Sequence, residues 1–310
     1  METNKKTNSE SANAGKNGFK KMNVLVNALP GNISELIARE VLKQEDMYLI
    51  RSSLTGEGVI SDLGGSYGLD NIFIHLDEPM AHEGALEALN IQYQDQGGFI
   101  TVDFAAPRVK GQPSPAKGNA KLYCSLMNPF VMGATTTTDD ISEIKKMVVD
   151  SGNIAVYAPN FAAHVVIFQD MLQYAANKYP GALNGYLSKL IESHQASKKD
   201  TSGTMRAVIK DLQKLGVEAN EDQIVMIRDP GSQENFLGVQ KQFLGGHAYH
   251  TYNIISPDQT ARLSFSHLVD GRSPYLPGIL ASVRFLNRMK QEGAVGKVYS
   301  YIDVLSEGGQ

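Results

Sequence analysis

Apolar runs broken by turn residues divide this chain into short strands and amphipathic helices. The first run, Met22-Asn23-Val24-Leu25-Val26-Asn27-Ala28, ends at Leu29-Pro30-Gly31 and leads into a helical pattern from Ile33 to Lys43. A buried strand, a tight turn and a helix in that order open a βαβ unit. The same reading predicts strands at Met47 to Leu54, Gly98 to Phe104, Asn128 to Gly133 and Asn153 to Ala158, extended structure over Tyr67 to Leu76, and a helix from Ile141 to Asp150. Strands that alternate with helices and end in small or polar residues predict a mostly parallel, doubly wound sheet.

Past Pro159 the pattern changes. A long amphipathic helix is expected from Ala162 to Tyr179, stopped by Pro180-Gly181, with extended chain from Tyr186 to Glu192. A second helix begins at Ser202-Gly203-Thr204 and runs to Leu215. Alternating segments follow at Gln223 to Arg228, Ala248 to Ile255 and Ala261 to Val269, the last two antiparallel about Ser256-Pro257-Asp258, before a final helix from Pro277 to Lys290. The expected class is therefore α/β, an N-terminal Rossmann-type parallel sheet with a C-terminal α+β domain suited to substrate binding or oligomerisation. A length of 310 residues fits two such units.

Composition removes several function classes. With 29 Lys+Arg against 33 Asp+Glu, thinly interspersed, the net charge of −4 offers no basic face for nucleic acid. The single Cys124 permits no internal disulfide and no Cys-pair zinc or redox motif. No apolar run reaches the roughly 18 residues of a membrane span, and the most continuous, Ala162 to Phe168, is interrupted by His164. Residues 1–21 are polar and expected to form a disordered tail; they lack a secretory h-region and resemble no typical transit peptide. A cytoplasmic protein is expected, or a stromal one if the source has plastids, since a mature plastid protein has lost its transit segment.

Ligands of parallel α/β sheets lie beyond the carboxyl ends of the strands, which directs attention to the loops after Val26, Leu54, Phe104 and Met132. Gly31, Asn32 and Ile33 open the first helix, where free amides attract phosphate, although one glycine after a strand is equally compatible with a plain turn. The second strand ends Ile50-Arg51-Ser52-Ser53, with no acid, so a dinucleotide bound here would favour NADP over NAD; alternatively Arg51 is a surface arginine. The stretch Glu192 to Thr204 places His194 and Lys198 beside a hydroxyl-rich helix start, Ser202-Gly203-Thr204. That combination makes an anion site with adjacent proton donors, or an ordinary helix cap beside a solvated loop. Ser202, His194 and Asp200 lack a nucleophile elbow and crowd into one loop, which sets hydrolase chemistry aside. His247, His250 and His267 match no zinc spacing and read as hydrogen-bonded histidines on strands facing a polar pocket, so no metal site is expected.

Taken in order, Val102-Asp103-Phe104-Ala105-Ala106-Pro107, Pro129-Phe130-Val131-Met132-Gly133-Ala134-Thr135, Ala158-Pro159-Asn160-Phe161, Glu192 to Thr204, Gly246-His247-Ala248-Tyr249-His250 and Gly271-Arg272-Ser273 resemble the dihydrodipicolinate reductase family, in its plant-type branch. The resemblance covers nearly everything from Met22 onward. It implies hydride transfer from a reduced nicotinamide, NADPH with NADH possible, to an unsaturated cyclic dicarboxylate. It also implies His194 as the active-site histidine, Lys198 as proton donor, and Ser202, Gly203 and Thr204 as the carboxylate grip. Phe104, Ala105, Gly133, Thr135, Pro159, Asn160 and Phe161, with Gly31, Asn32, Ile33, Arg51 and Ser52, then fall to the cofactor. Gln195 stands where bacterial members carry a second histidine, and the first loop has fewer glycines than the family norm. The implied organisation is a cofactor domain at 22–159 plus 273–310, a substrate and oligomerisation domain at 160–272, and a homodimer or homotetramer. A non-catalytic NADP-binding regulator, or a reductase acting on another imine, are the alternatives.

Overall fold

A computed structural model describes residues 21–107, 111–134 and 136–308 of the chain. All of the expected tail except Lys21, and Thr135 of the expected cofactor set, lie outside those residues.

The chain forms two units, one running up to Phe161 and resuming at Gly278, the other Ala162–Pro277. The first unit begins with β1 (Met22–Val26), α1 (Asn32–Lys43), β2 (Met47–Leu49), β3 (Ser52–Leu54), α2 (Val59–Leu63), β4 (Ser66–Leu69) and β5 (Ile72–Asp77). It continues with α3 (His82–Tyr93), β6 (Phe99–Asp103), α4 (Ala116–Ser125), β7 (Phe130–Met132), α5 (Thr138–Ser151) and β8 (Ile154–Tyr157). The second unit holds α6 (Ala163–Lys178), β9 (Leu187–His194), α7 (Gly203–Lys214), β10 (Ile224–Ile227), α8 (Pro230–Leu237), β11 (His247–Ile255) and β12 (Arg262–Asp270). The chain closes with α9 (Leu276–Gln291), β13 (Lys297–Tyr299) and α10 (Tyr301–Ser306).

In the first unit a six-stranded sheet runs β13-β8-β7-β6-β1-β2, and its neighbours pair in parallel throughout. Val24, Leu25, Val26, Phe130, Val131 and Met132 are buried, as strands covered on both faces must be. The strand order reverses between β1 and β6, so the loops after these two strands flank the switch point where ligands of this architecture bind. Helix α1 is amphipathic, burying Ser34, Ile37, Ala38 and Val41 on one face.

One expectation requires correction and another is sharpened. Met47 to Leu54 is two strands: Ile50 still bonds to Val24, but Arg51 then accepts from His75, so the chain leaves one sheet and enters a smaller one ordered β3-β5-β4. Tyr67 to Leu76 is a hairpin, because Asp70 adopts a φ of 53° in the two-residue turn between β4 and β5.

The second unit is a four-stranded sheet, β10-β9-β11-β12, with β10 parallel to β9 and the others antiparallel. One face packs on α6 and α7 through Leu172, Ala176, Met205, Val208, Ile209 and Leu212.

Candidate active site

Side chains directly opposite one another on paired strands share a face. In the second unit Leu190, Tyr252 and Phe265 form one such row beneath the helices, and Phe168 of α6 stacks on the two aromatic rings. Two residues along, the same face carries Glu192, His250 and His267. An apolar row thus gives way to an acid and two imidazoles, all buried. Burial of so many polar groups demands partners, and their bonds define the site.

Glu192 is fully buried. Its Oε1 accepts from Arg228 Nη2 at 2.5 Å, its Oε2 accepts the Ser202 amide at 2.9 Å, and His250 Nε2 lies 3.4 Å from Oε2. Burial alone pushes the carboxyl up, but the bonds from His250, Ser202 and Arg228 outweigh it and hold Glu192 well below the usual carboxylate range. His194 ends β9 with Nδ1 against the His247 carbonyl at 3.0 Å, which makes Nδ1 the donor. Its Nε2 is buried without a hydrogen-bond partner and stands 3.9 Å from Glu192 Oε2. Burial, reinforced by His250, lowers the His194 pKa to about 4, so the ring is neutral at neutral pH. The neighbouring His247 is lowered by burial too; its Nδ1 donates to Phe243 O at 3.2 Å, leaving Nε2 to accept from Ser193 at 2.8 Å.

Glu192, His194 and His250 place ligand atoms within 4.8 Å of one another, a spacing that invites a metal reading. The guanidinium on Glu192 argues against it: a divalent cation would have to displace Arg228 from a carboxylate whose other oxygen already accepts an amide.

The segment after β9 carries the expected chemistry. Lys198 Nζ bonds Asp200 at 3.1 Å, and Asp200 is largely exposed. Such a pair contributes about 0–1 kcal/mol and gives way readily to another carboxylate. Ser202 caps α7 by accepting the Met205 amide at 3.1 Å, and its own amide is taken by Glu192. Of the three residues expected to grip a carboxylate, Ser202 therefore serves chiefly to set the helix start, while Gly203 and Thr204 occupy its first turn. Glu192 enters the sequence reading only as the first residue of its constellation, without a role, and Arg228 and Gln233 are not singled out there; the available signal is an acid in phase with the buried residues of β9.

In the first unit Gly31 opens α1 and has no side chain to cap its first-turn amides, those of Asn32 and Ile33 among them. Ahead of it Ala28 takes a φ of 65°, a conformation costing about 1–2 kcal/mol for a residue with a Cβ. Its amide bond to Leu54 O, at 2.7 Å, holds it there. Arg51 is exposed just past the end of β2, and Ser52 bonds Asp77 at 2.9 Å. Gly133 abuts the Phe104 ring so closely that a Cβ would fall 2.0 Å from its edge, so only glycine fits that approach. Phe161 packs on both Phe104 and Tyr301, while Pro159 is exposed and Asn160 half-buried beside it.

A buried hub ties these loops together. Asp103 accepts the Ala105 amide at 2.7 Å on one oxygen, and the Tyr123 hydroxyl at 2.6 Å with Asn119 Nδ2 at 2.8 Å on the other. Asn27 Nδ2 reaches the same Tyr123 oxygen at 2.9 Å, and Asn27 Oδ1 accepts the Leu54 amide at 2.9 Å. One carboxylate thus links the strand ends of β1, β3 and β6. Burial, with Asp103 beside it, drives the Tyr123 phenol well above its ordinary pKa, so it remains a donor.

Comparison with known proteins follows the same lines. The family model for the C-terminus of dihydrodipicolinate reductase matches residues 164–305. A probable 4-hydroxy-tetrahydrodipicolinate reductase 1, chloroplastic, of Oryza sativa subsp. japonica is 36% identical over 285 residues, 92% of this chain and 79% of that protein. The 4-hydroxy-tetrahydrodipicolinate reductase 2, chloroplastic, of Arabidopsis thaliana is 36% identical over 287 residues, 93% of this chain and 78% of that one. Among solved structures, the dipicolinate-bound dihydrodipicolinate reductase of Paenisporosarcina sp. TG-14 matches with a TM-score of 0.60 at 16% identity, covering 90% of this chain and 97% of that one, a likeness of fold.

Proposed function

The chain belongs to the dihydrodipicolinate reductase family, and from that membership we infer a nicotinamide-dependent oxidoreductase that reduces dihydrodipicolinate, formed from 4-hydroxy-tetrahydrodipicolinate, to tetrahydrodipicolinate in the diaminopimelate route to lysine. The observation in the second unit that carries this reading is one short segment bearing His194, Lys198 and the start of α7, with the carboxylate beneath it already neutralised by Arg228. A ring dicarboxylate brings two negative charges, and the amides of Gly203 and Thr204, the helix dipole and the Lys198 ammonium all favour them.

The features of the first unit fit a nicotinamide cofactor. The uncapped start of α1 suits phosphate, and Gly133 allows close approach beside Phe104. When bound, the reduced nicotinamide supplies the hydride. NADPH is the proposed form, because Arg51 lies just past the carboxyl end of β2 with no acid in its place. Arg51→Ala is expected to raise KM for NADPH about tenfold, the loss of one charge-assisted hydrogen bond, with KM for NADH little changed. Equal changes for the two cofactors would remove Arg51 from the phosphate site.

The protein's own groups account for the proton. Lys198 exchanges Asp200 for a substrate carboxylate and delivers its proton to the ring, so that the substrate gains one hydride and one proton and Lys198 is reprotonated from solvent. His194, neutral with a bare Nε2, presents a hydrogen-bond acceptor beside the ring.

The test is to mix the protein with NADPH and freshly formed condensation product of pyruvate and aspartate semialdehyde while following NADPH absorbance. Prompt oxidation supports the reading. Binding without turnover would leave a non-catalytic NADP-binding regulator, and turnover with other imines only would leave a related reductase.

Self-association as a dimer or tetramer belongs to the same proposal. The sheet face opposite Glu192 bears a row of Val225, Ile191, Thr251 and Ser266, with Val225 and Leu268 exposed; light scattering decides the state. Among the described residues no helix is long and apolar enough to cross a membrane. The chloroplastic plant relatives favour the plastid stroma over the cytoplasm, which imaging of a tagged chain would decide.

A further inference from the structure

The segment between β9 and α7 is tied at several points to one buried side chain. Its far end is held by Glu192 Oε2 through the Ser202 amide. His250 Nε2 stands between that same oxygen and Ser202 Oγ, at 3.4 and 3.1 Å. In the middle, Arg228 Nε donates to the Lys198 carbonyl at 2.7 Å, while Nη2 binds Glu192 Oε1 and Nη1 binds the Glu192 carbonyl at 2.9 Å. At the near end, Gln233 Nε2 donates to the His194 carbonyl at 2.7 Å.

We propose that Arg228 and His250, joined through Glu192, are positioning residues for the reaction, Arg228 setting Lys198 and His250 setting, through the capping Ser202, the anion cradle at Gly203 and Thr204. The proposal rests on the function inferred above. Neutralising Glu192 requires only a cation; the guanidinium does more, because its fixed fork directs separate donors to a carboxylate and to the backbone of the residue that carries the ammonium. For His250 the donor inventory fixes the tautomer. An ionised carboxylate only accepts, so the edge facing Glu192 carries the proton on Nε2, and Nδ1 is the buried nitrogen left without a partner. That single N–H, shared between Glu192 and Ser202, holds the capping serine over the carboxylate that takes its amide.

Two substitutions separate the ends of this clamp. Arg228→Lys keeps a cation for Glu192 but loses the second donor to Lys198. It is expected to lower kcat about tenfold, with KM for the ring dicarboxylate and Kd for NADPH within about twofold of wild type. His250→Phe is expected to do the reverse, raising KM for the ring dicarboxylate about tenfold with kcat within about threefold. His250→Gln, whose amide again offers N–H to Ser202 and Glu192, recovers most of that loss. Backbone hydrogen exchange across 195–202 accelerates in Arg228→Lys and His250→Phe. A purely structural part would move kcat and KM together in both variants, and that result, or wild-type kinetics with unchanged exchange, overturns the proposal. Should the wild-type protein fail to oxidise NADPH with the ring substrate, the functional reading falls by itself. The clamp is then judged by exchange alone, faster in both variants if it holds and unchanged if it does not.

Discussion

Lys198→Met is expected to lower kcat by about 10²–10⁴-fold, the usual contribution of a positioned general acid, while NADPH binds as before. Methionine keeps an unbranched apolar stem of similar length, so the change removes the ammonium and little else. The only side-chain bond described for Lys198 is the exposed pair with Asp200, which contributes little to stability, so a folded variant is expected. Neutral His194 cannot replace it as acid at neutral pH, because its burial opposes protonation. KM for the dicarboxylate should rise less than kcat falls, since helix-start amides share the work of binding. Stopped-flow turnover and NADPH titration on the same preparation check both halves. A kcat within about threefold of wild type would assign the proton to another group.

Much of the first unit was legible because parallel strands announce themselves. Val24 to Val26 and Phe130 to Met132 are unbroken apolar runs buried on both faces, and Phe99 to Val102 is another broken only by the buried Thr101. The helices read less well where small residues do the packing. Helix α4 buries Ala116, Ala120, Tyr123 and Cys124, a regular i, i+4, i+7, i+8 stripe, yet its two alanines and Gly118 give little hydrophobic contrast, and no helix was expected there. Helix α3, which buries only Leu86, Leu89 and Tyr93, was missed for a similar reason. The loss mattered, since Asn119 and Tyr123 of α4 complete the Asp103 hub.

The site divides in the same way. Groups contiguous in sequence, His194 through Thr204, were visible as a constellation, whereas the residues that hold them come from distant strands. Arg228 is 36 residues from Glu192 and His250 is 58 beyond it, and only strand register brings them together. Spacing rules for metal or catalytic motifs do not reach across such separations. The expectation that His247, His250 and His267 are hydrogen-bonded histidines on strands agrees with where they lie, although His250 and His267 each retain one buried ring nitrogen without a partner.

Those buried imidazoles make stability strongly dependent on pH. The pKa of His194 is lowered to about 4 and that of His267 to about 3 from an ordinary 6.5, in both cases chiefly by burial and next by the neighbouring His250. As pH falls below 6.5 the unfolded chain takes up protons that the folded chain refuses, so stability is full above 6.5 and declines until about 4 for His194 and about 3 for His267. Glu192 acts in the same direction at lower pH: its carboxyl is held below 4.5, so its contribution is present above that value and is lost as pH falls beneath it. A shift of the size found at His194 corresponds to about 3 kcal/mol, a large part of the 5–15 kcal/mol that stabilises an ordinary domain. Urea midpoints are therefore expected to fall steeply between pH 6.5 and 4. In His267→Phe, which keeps a ring against Phe168 and gives up the bond to Tyr252, stability at neutral pH should drop but the acid slope should be shallower. Midpoints that stay level from pH 6.5 to 4.5 would mean that these rings titrate in the folded chain as they do in the unfolded one, and a His267→Phe variant with the wild-type slope would remove His267 from the acid response.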